Sequence, residues 1–141
     1  MRLKVLCTGS RTWRKQDSVI IEAWLKKLPI YTKIIHGGAK GADGIVDYYA
    51  RQLNFEVAVY SQDWNKYGKS AGLVRNIYMF EKEQPSITIA FLNQYLRSTG
   101  TIHMINYALE HKNKVFLVNY EGILMAMNEF IAFCDNPINR R

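Results

Sequence analysis

The chain has 141 residues, 48% of them hydrophobic, which is enough to build one domain with a core of its own. No stretch approaches the roughly 20 apolar residues of a membrane span, and the N-terminus enters a strand pattern without a signal peptide's apolar segment. The sequence therefore predicts one cytoplasmic domain over residues 1–141 with no membrane partner. Its formal charge of +7 favours an anionic partner or, equally, a solvated basic surface.

Strand-like and helix-like patterns alternate from the N-terminus. The first predicted strand runs from Leu3 to Thr8, and a helix follows from about Asp17, whose carboxylate can cap it. A second strand is expected from Lys33 to His36. The next helix begins near Asp43, and a third strand covers Phe55 to Tyr60.

The stretch from Ser61 to Gly72 is polar and aromatic and too long for a tight turn, and such loops in compact domains are often functional. A helix follows it, in which four apolar residues at helical spacing predict the buried stripe. They are Leu73, Val74, Ile77 and Phe80. The fourth strand is expected from Ser86 to Leu92.

The rest of the chain predicts a helix, a strand and a last helix. Residues 97–101 open the first of these helices, whose inward side chains are taken from the apolar spacing. They are Ile102, Ile105, Ala108 and Leu109. The fifth strand covers Lys114 to Asn119, and the last helix runs from Ile123 to Cys134. Cys7 and Cys134 have no CxxC spacing and are expected to be core thiols.

Five strands with helical crossovers predict an α/β fold, a single Rossmann-like doubly wound domain with a five-stranded, mainly parallel sheet and helices on both faces. Ligands bind such sheets in a crevice beyond the carboxyl ends of the strands. Four of the predicted strands are followed there by polar, glycine-bearing loops. These are Gly9-Ser10-Arg11, the loop from Gly37, the segment from Asp63 to Gly72, and Ser98 to Thr101.

The loop from Gly37 to Gly44 is rich in glycine and leads directly into a helix. Glycines let backbone N–H groups approach a phosphate, and a helix N-terminus adds a partial positive charge. The spacing fits neither GxxxxGK[ST] nor GxGxxG. Phosphate contact and turn geometry therefore stay open as roles for the three glycines Gly37, Gly38 and Gly41. Lys40 is open between phosphate contact and solvent, and Asp43 between helix cap and catalyst.

Side chains outside this loop complete the predicted site. Ser10 and Arg11 suit a phosphate or a carboxylate. Arg75 lies beside an apolar stripe, where burial would require an anionic ligand or an internal salt bridge with Asp43 or Asp63. Trp64 is expected either to stack on a base or to cover the core.

Metal and hydrolase signals are weak in this sequence. The three histidines, His36, His103 and His111, lie in separate elements and form no Cys/His cluster, so no transition-metal site is predicted. Magnesium accompanying a bound nucleotide stays open as a cofactor. No Ser/His/Asp order or GxSxG elbow favours an esterase.

Five motifs in chain order resemble the SLOG superfamily, and more narrowly its YspA-related branch in bacteria and phages. They are Thr8 to Trp13, His36 to Asp43, Asp63-Trp64, Gly72-Leu73-Val74-Arg75-Asn76, and Ser98-Thr99-Gly100-Thr101. The resemblance implies a Rossmann-like sheet that binds nucleotides or nucleotide-derived signals at its carboxyl edge. It also implies a homodimer built through helices that flank the sheet.

The superfamily includes the LOG phosphoribohydrolases, which cleave the bond between a base and ribose 5′-phosphate with an arginine and a glutamate. By position Arg75 matches that arginine, but Ile102-His103-Met104 supplies no glutamate. An oxocarbenium-like centre needs a nearby negative charge, which Asp43 or Asp63 could provide from the crevice. His103 is the candidate general acid.

Two classes of function follow. The first is a protein that binds a nucleoside phosphate or an ADP-ribose-like molecule, with or without hydrolysis of the N-glycosidic bond; an inert nucleotide sensor or sponge shares that pocket. The second is a DprA-like protein that binds single-stranded nucleic acid, which the +7 charge and the aromatic residues of the third loop favour.

Overall fold

The computed structural model describes residues 2–93 and 99–123 and confirms the α/β Rossmann-like fold. Its parallel strands are β1 (Lys4–Gly9), β2 (Lys33–His36), β3 (Glu56–Val59), β4 (Ile87–Phe91) and β5 (Lys114–Asn119). A sixth strand, β6 (Gly122–Ile123), pairs antiparallel with β5, so the assignment of Ile123 to a helix is wrong. The remainder of that predicted helix, with Cys134, lies outside the described residues.

The strand order is β3-β2-β1-β4-β5-β6, which places the switch in winding direction between β1 and β4. The helices are α1 (Ser18–Lys26), α2 (Ala42–Gln52), α3 (Trp64–Tyr67), α4 (Ala71–Glu83) and α5 (Thr99–Glu110). Short 3-10 turns, Lys15–Asp17 and Gly68–Ser70, precede α1 and α4. No helix in the described ranges is long and apolar enough to cross a membrane.

Helices cover both faces of the sheet because successive side chains of a strand point to opposite faces. Val5 and Cys7 face the core under α1 and α2, where Cys7 is fully buried as expected. Leu6 faces the second core, under α4 and α5, with Met79 and Met104. Alternate side chains of β1 thus pack into the two cores, one on each face of the sheet.

The predicted cap of α1 differs from the observed one. Asp17 stands at the N-cap position, but its side chain makes no capping bond to the helix. Its Oδ2 instead accepts a hydrogen bond from Arg14 Nε at 2.5 Å. A nearby cation therefore competes successfully with the N–H groups at the start of the helix.

The predicted stripe of α4 is largely wrong. Leu73 and Ile77 are 39% and 36% exposed, while the buried face carries Asn76 and Glu83 beside Phe80. Polar groups can be buried where they find partners: the Asn76 amide bonds to α5, and the Glu83 carboxylate lies 2.9 Å from a lysine ammonium of β2. Apolar spacing alone could not reveal those partners.

One inward residue of α5 also differs from the prediction. Leu109 is 55% exposed, and Met104 takes the buried position facing the second core. Ile105 and Ala108 are buried as predicted. The buried face of α5 is therefore rotated by part of a turn from the predicted face. Apolar residues lie on both sides of this helix, so apolar spacing alone does not identify the buried side.

Candidate functional site

A crevice of about 380 Å³ opens at the carboxyl edge of the sheet, beyond the ends of the neighbouring strands β1 and β4. Each of the four predicted loops contributes described residues to its wall. The lining includes Thr8, Gly9, Arg11, Asp43, Trp64, Arg75 and residues 99–101. Parallel strands bring their carboxyl ends to one edge, so the loops that follow them meet there. The crevice is thus a product of the topology.

Several other residues predicted for the site do not line this crevice. They are Ser10, Gly37, Gly38, Lys40, Gly41, Asp63, Asn76 and His103. Lys40 is exposed, and Ser98 lies outside the described residues. Most of the others hold the loops of the crevice in shape, and their contacts show how.

The loop after β1 is held by Ser10, which is only 5% exposed. Its carbonyl oxygen accepts hydrogen bonds from the N–H groups of Trp13, at 3.2 Å, and Ala42, at 3.1 Å. Its hydroxyl accepts the Thr12 N–H at 3.1 Å. Because Ser10 bonds both loops, it positions the neighbouring Arg11, which is exposed and makes no ion pair within the described residues.

The glycine-rich loop makes most of its contacts with the protein itself. The Gly38 N–H donates to His36 Nδ1 at 3.0 Å, and the Ala39 N–H donates to Asp43 Oδ2 at 3.1 Å. A Cβ on Gly37 would lie 2.0 Å from Arg75 Nη1, and Gly41 has a φ of +78°. Turn geometry and close packing therefore account for these glycines, while their phosphate contact stays a prediction.

Asp43 does not cap α2, because the N-cap is Gly41 and Asp43 is the second residue of the helix. Its side chain is 5% exposed and reaches back to the loop, where Oδ2 accepts the Ala39 N–H. The other oxygen, Oδ1, is buried and has no hydrogen-bond partner in the described part of the chain. Burial raises the pKa of Asp43, although His36 and Arg75 favour its charged form.

Arg75 lies in the second turn of α4 and connects this helix to the loop after β2 and to the end of β3. Its Nη1 donates to the carbonyl oxygens of Gly37, at 2.5 Å, and Tyr60, at 3.2 Å, and its Nε donates to Asn76 Oδ1. No described residue accepts from Nη2 and no described acid pairs with the guanidinium, so the predicted salt bridge to Asp43 or Asp63 is wrong.

The surroundings of Arg75 disfavour the positive charge of its guanidinium group. Burial lowers the pKa of its guanidinium, and the positive charge of Arg11 lowers it further, against the opposing effect of Asp43. Two guanidinium groups and one carboxyl therefore face the same crevice. An anion bound between the two arginines would relieve that repulsion.

Asn76 joins α4 to the start of α5. Its amide Nδ2 donates to the Gly100 carbonyl at 3.0 Å and lies 3.3 Å from His103 Nδ1. Burial lowers the pKa of His103, which packs against Tyr107 behind the crevice wall. The geometry thus gives Asn76 a positioning role and leaves the predicted general acid away from the lining.

His36 is 2% exposed and links the glycine-rich loop to α2. Its Nδ1 accepts the Gly38 N–H, so the opposite nitrogen, Nε2, donates to Asp47 Oδ1 at 2.8 Å. Arg51 holds the second oxygen of Asp47 at 3.0 Å. This chain of hydrogen bonds fixes the glycine-rich loop to α2.

The loop after β3 differs from the others by its exposed side chains. Asp63 accepts the Lys66 N–H at 3.1 Å and caps α3. Trp64 is 54% exposed at the rim of the crevice, and Lys69 lines the wall beyond it. Lys66 lies over the ring of Tyr67, 5.2 Å from its centroid, and does not line the crevice.

Sequence reasoning left Thr12 and Gln62 out of the site, although both line the crevice. Thr12 stands inside the motif after β1, so the motif itself was the signal. Gln62 carries no recognisable pattern. Its buried Oε1 has no partner among the described residues, and its amide packs against Gly72, where a Cβ would lie 3.2 Å from Nε2.

The described residues hold no cluster of three or more His, Cys, Asp or Glu side chains that could bind a metal ion. Among the described residues of the crevice wall, the positive side chains are Arg11, Lys69 and Arg75, and the single acid is Asp43. The exposed N-terminal residues Thr99 and Gly100 of α5 add the partial positive charge of a helix start. This arrangement suits an anionic ligand with a polar group near Asp43.

Comparison with known proteins yields one family and one similar phage protein. Residues 3–67 match the model of the YspA, cpYpsA-related SLOG family. The chain is also 38% identical over 112 residues to the Gene 61 protein of Mycobacterium phage D29, a match that covers 74% of this chain and 87% of that protein. The family match ends before Arg75 and the start of α5.

Two solved structures share the fold. The DNA processing protein A (DprA) of Streptococcus pneumoniae superposes with a TM-score of 0.67 at 18% identity, covering 83% of this chain and 50% of DprA. A UDP-N-acetylglucosamine 2-epimerase gives a TM-score of 0.53 at 18% identity, covering 99% of this chain and 38% of the epimerase. The chain thus spans half or less of each, and these likenesses establish the architecture alone.

Proposed function

Because the chain belongs to the YspA, cpYpsA-related SLOG family, we propose that it binds a nucleotide or nucleotide-derived ligand, a nucleoside phosphate or an ADP-ribose-like molecule, in the crevice. One observation carries the proposal: Arg11, Lys69 and Arg75 converge with the start of α5 on one cavity. Phosphate oxygens accept charge-assisted hydrogen bonds from such donors. Asp43 lines the same crevice, and a ribose hydroxyl would donate a hydrogen bond to its carboxyl group.

Hydrolysis is the finer part of the proposal, and Asp43 is its candidate acid. Cleavage of the N-glycosidic bond adds the oxygen of water to C1′ and a proton to the departing base. Asp63 caps α3 and does not line the crevice, whereas Asp43 lines it; the Oδ1 atom of Asp43 is buried and has no partner among the described residues. Burial raises the pKa of Asp43 and favours its neutral form, which can donate a proton to a base but does not supply the negative charge that an oxocarbenium-like centre needs.

Isothermal titration with ADP tests binding. We expect Lys69→Ala to weaken the affinity about ten-fold, the equivalent of about 1.4 kcal/mol, through loss of one charge-assisted contact. Lys66→Ala is the matched control, since Lys66 is also an exposed lysine, three residues away, that does not line the crevice. An equal effect of both variants, or no binding of ADP or ADP-ribose by the unaltered protein, would refute the proposal.

Release of free base tests hydrolysis. Incubation with nucleoside 5′-monophosphates should produce a base with the unaltered protein and none with Asp43→Asn. If ligands bind and no base appears, the protein is a nucleotide sensor or sponge. Any Mg²⁺ in the crevice would be held by the ligand's phosphates, because Asp43 is the only acid in the described lining.

Binding of single-stranded nucleic acid is the second candidate. The +7 charge and the exposed rings of Trp64 and Tyr67 favour it, and the structural relative DprA is a DNA processing protein. Affinity for an oligothymidylate would then fall steeply between about 50 and 200 mM salt, while a small ligand in a crevice would respond weakly. The homodimer and the cytoplasmic location likewise stay proposals, the first of which sedimentation can test.

A further inference from the structure

A second cavity of about 580 Å³ lies beside the crevice, between the loop after β1 and the first turns of α2. Its wall is largely apolar and aromatic, with Trp13, Ile45, Tyr48 and Tyr49. We call this cavity the aromatic pocket. Trp13 packs edge-on against Tyr120, with ring centroids 4.7 Å apart, so one wall is rigidly held.

The aromatic pocket adjoins the crevice through Arg11, which lines both cavities. Gly41, which lines the aromatic pocket, packs so closely against the Arg11 backbone that a Cβ there would lie 2.4 Å from the Arg11 carbonyl oxygen. The exposed guanidinium of Arg11 has no ion-pair partner in the described ranges. It therefore stands where a chain of phosphates could pass from one cavity to the other.

Gly44 gives an independent reason to regard the pocket as a binding site. It lies in the first turn of α2, where glycine is a poorer helix former than alanine. A Cβ there would meet nothing within 4 Å, and its φ is not positive, so neither packing nor backbone geometry calls for glycine. The missing side chain does keep the floor of the aromatic pocket open.

Tyr48 points to the kind of group that the pocket accepts. It is 60% exposed although its ring is large and apolar, and it stands edge-on to Tyr49 at 5.1 Å between ring centroids. Aromatic rings stack on planar heterocycles, and every nucleobase offers such a face. The cations Arg11 and Lys15 at the pocket favour a ligand with negative charge next to that ring.

We infer that the aromatic pocket binds the base of a nucleoside diphosphate-type ligand, whose phosphates pass Arg11 and whose terminal group occupies the crevice. This inference rests on the proposed function in its binding form and specifies its ligand class. The base then lies in the aromatic pocket, away from Asp43, so the inference excludes release of that base by Asp43. A nucleoside monophosphate or a sugar phosphate would fill one cavity only. A nucleoside diphosphate joined to a second sugar fills both.

Calorimetry with four probes separates the two cavities: ribose 5-phosphate for the crevice alone, and ADP, GDP and UDP for both. At least one diphosphate should bind ten-fold or more tightly than ribose 5-phosphate. Tyr48→Ala should weaken that diphosphate about ten-fold, as expected for one lost stacking ring, and leave ribose 5-phosphate unchanged. Gly44→Phe, which puts a ring into the opening, should act in the same direction.

Tyr31→Ala is the matched control, because Tyr31 is 74% exposed and lines neither cavity. It should change no affinity. Ribose 5-phosphate binding that is sensitive to Lys69→Ala, with diphosphates unaffected by Tyr48→Ala, would overturn this inference and leave the proposed function standing. Failure of all four probes would overturn both. Tighter binding of oligothymidylate than of every diphosphate, again sensitive to Tyr48→Ala, would overturn the small-ligand assignment.

Discussion

Two loops of the crevice use their polar groups in opposite ways. In the loop from Gly37, the N–H groups of Gly38 and Ala39 bond to side chains of the protein, and the Gly37 carbonyl accepts from Arg75. In the loop after β3, Trp64 and Lys69 stand exposed at the cavity. The glycine-rich loop is therefore a scaffold, and side chains from neighbouring loops face the crevice.

A glycine-rich motif alone therefore does not identify a phosphate-binding loop. A glycine-rich turn before a helix predicts phosphate contact when its N–H groups are unpaired. Here two of them are already paired within the protein, and the glycines allow Arg75 to approach the backbone. The motif still marks the correct edge of the sheet, because the same loop holds Asp43 in the wall.

The largest expected effect comes from filling the space beside Gly37. Gly37→Ala would place a Cβ 2.0 Å from Arg75 Nη1 and push out a guanidinium that bonds to the Tyr60 carbonyl. Because the displaced atoms are the end of a flexible side chain, we expect a loss of about 1 to 2 kcal/mol in the free energy of unfolding, mainly from the broken hydrogen bonds of Arg75, measured by urea denaturation. Gly44→Ala is the control: it meets no atom within 4 Å and should gain about 0.5 kcal/mol or more. Equal stability of the two variants would show that the loop is not a packed scaffold.

A smaller effect, and one that depends on pH, is expected at Asp43. Burial raises the pKa of its carboxyl, so its contribution to stability is complete below the ordinary pKa of about 3.9 and is lost as the pH rises through the raised value. The amide that Asp43→Asn introduces cannot ionise. The variant should therefore become more stable relative to the unaltered protein as the pH rises above about 3.9. The difference should level off once the carboxyl of the unaltered protein is ionised in the folded state. A stability difference that does not change with pH would contradict the raised pKa.

The smallest effect is expected in the loop after β3. Asp63→Ala removes the cap that accepts the Lys66 N–H, which should cost roughly 0.5 to 1 kcal/mol locally. Because α3 is a single exposed turn, global unfolding should change little. Hydrogen exchange at the Lys66 amide should accelerate while amides of β1 keep their protection. Accelerated exchange throughout the sheet would mean that this loop is also part of the scaffold.

The sequence predicts the fold well because its signals are local and repeated. The strand from Lys33 to His36 and the strand from Lys114 to Asn119 are found with the predicted bounds. Parallel topology then places the four loops at one edge, which is why the crevice lies where it was expected. The prediction of the buried face of α4 was wrong because the polar groups of Asn76 and Glu83 bond to partners that are distant in the sequence.

The position of the crevice follows from the sequence, whereas the contacts that shape its wall do not. The position of Arg75 follows from its motif, but its bonds to the Gly37 and Tyr60 carbonyls depend on tertiary packing. Gln62 has no sequence pattern to mark it, and the aromatic pocket unites Trp13 with Tyr48 across two elements. Such features appear only when the loops are assembled.

A titration of ¹⁵N-labelled protein with ADP, followed by amide chemical shifts, tests the central claim most directly. We expect saturable shifts at Arg11, Lys69 and residues 99–101, which line the crevice, with amides of β3 unchanged. Shifts confined to surfaces away from the crevice, such as Lys112 and Lys114, or no saturable shift with ADP or ADP-ribose, would contradict it.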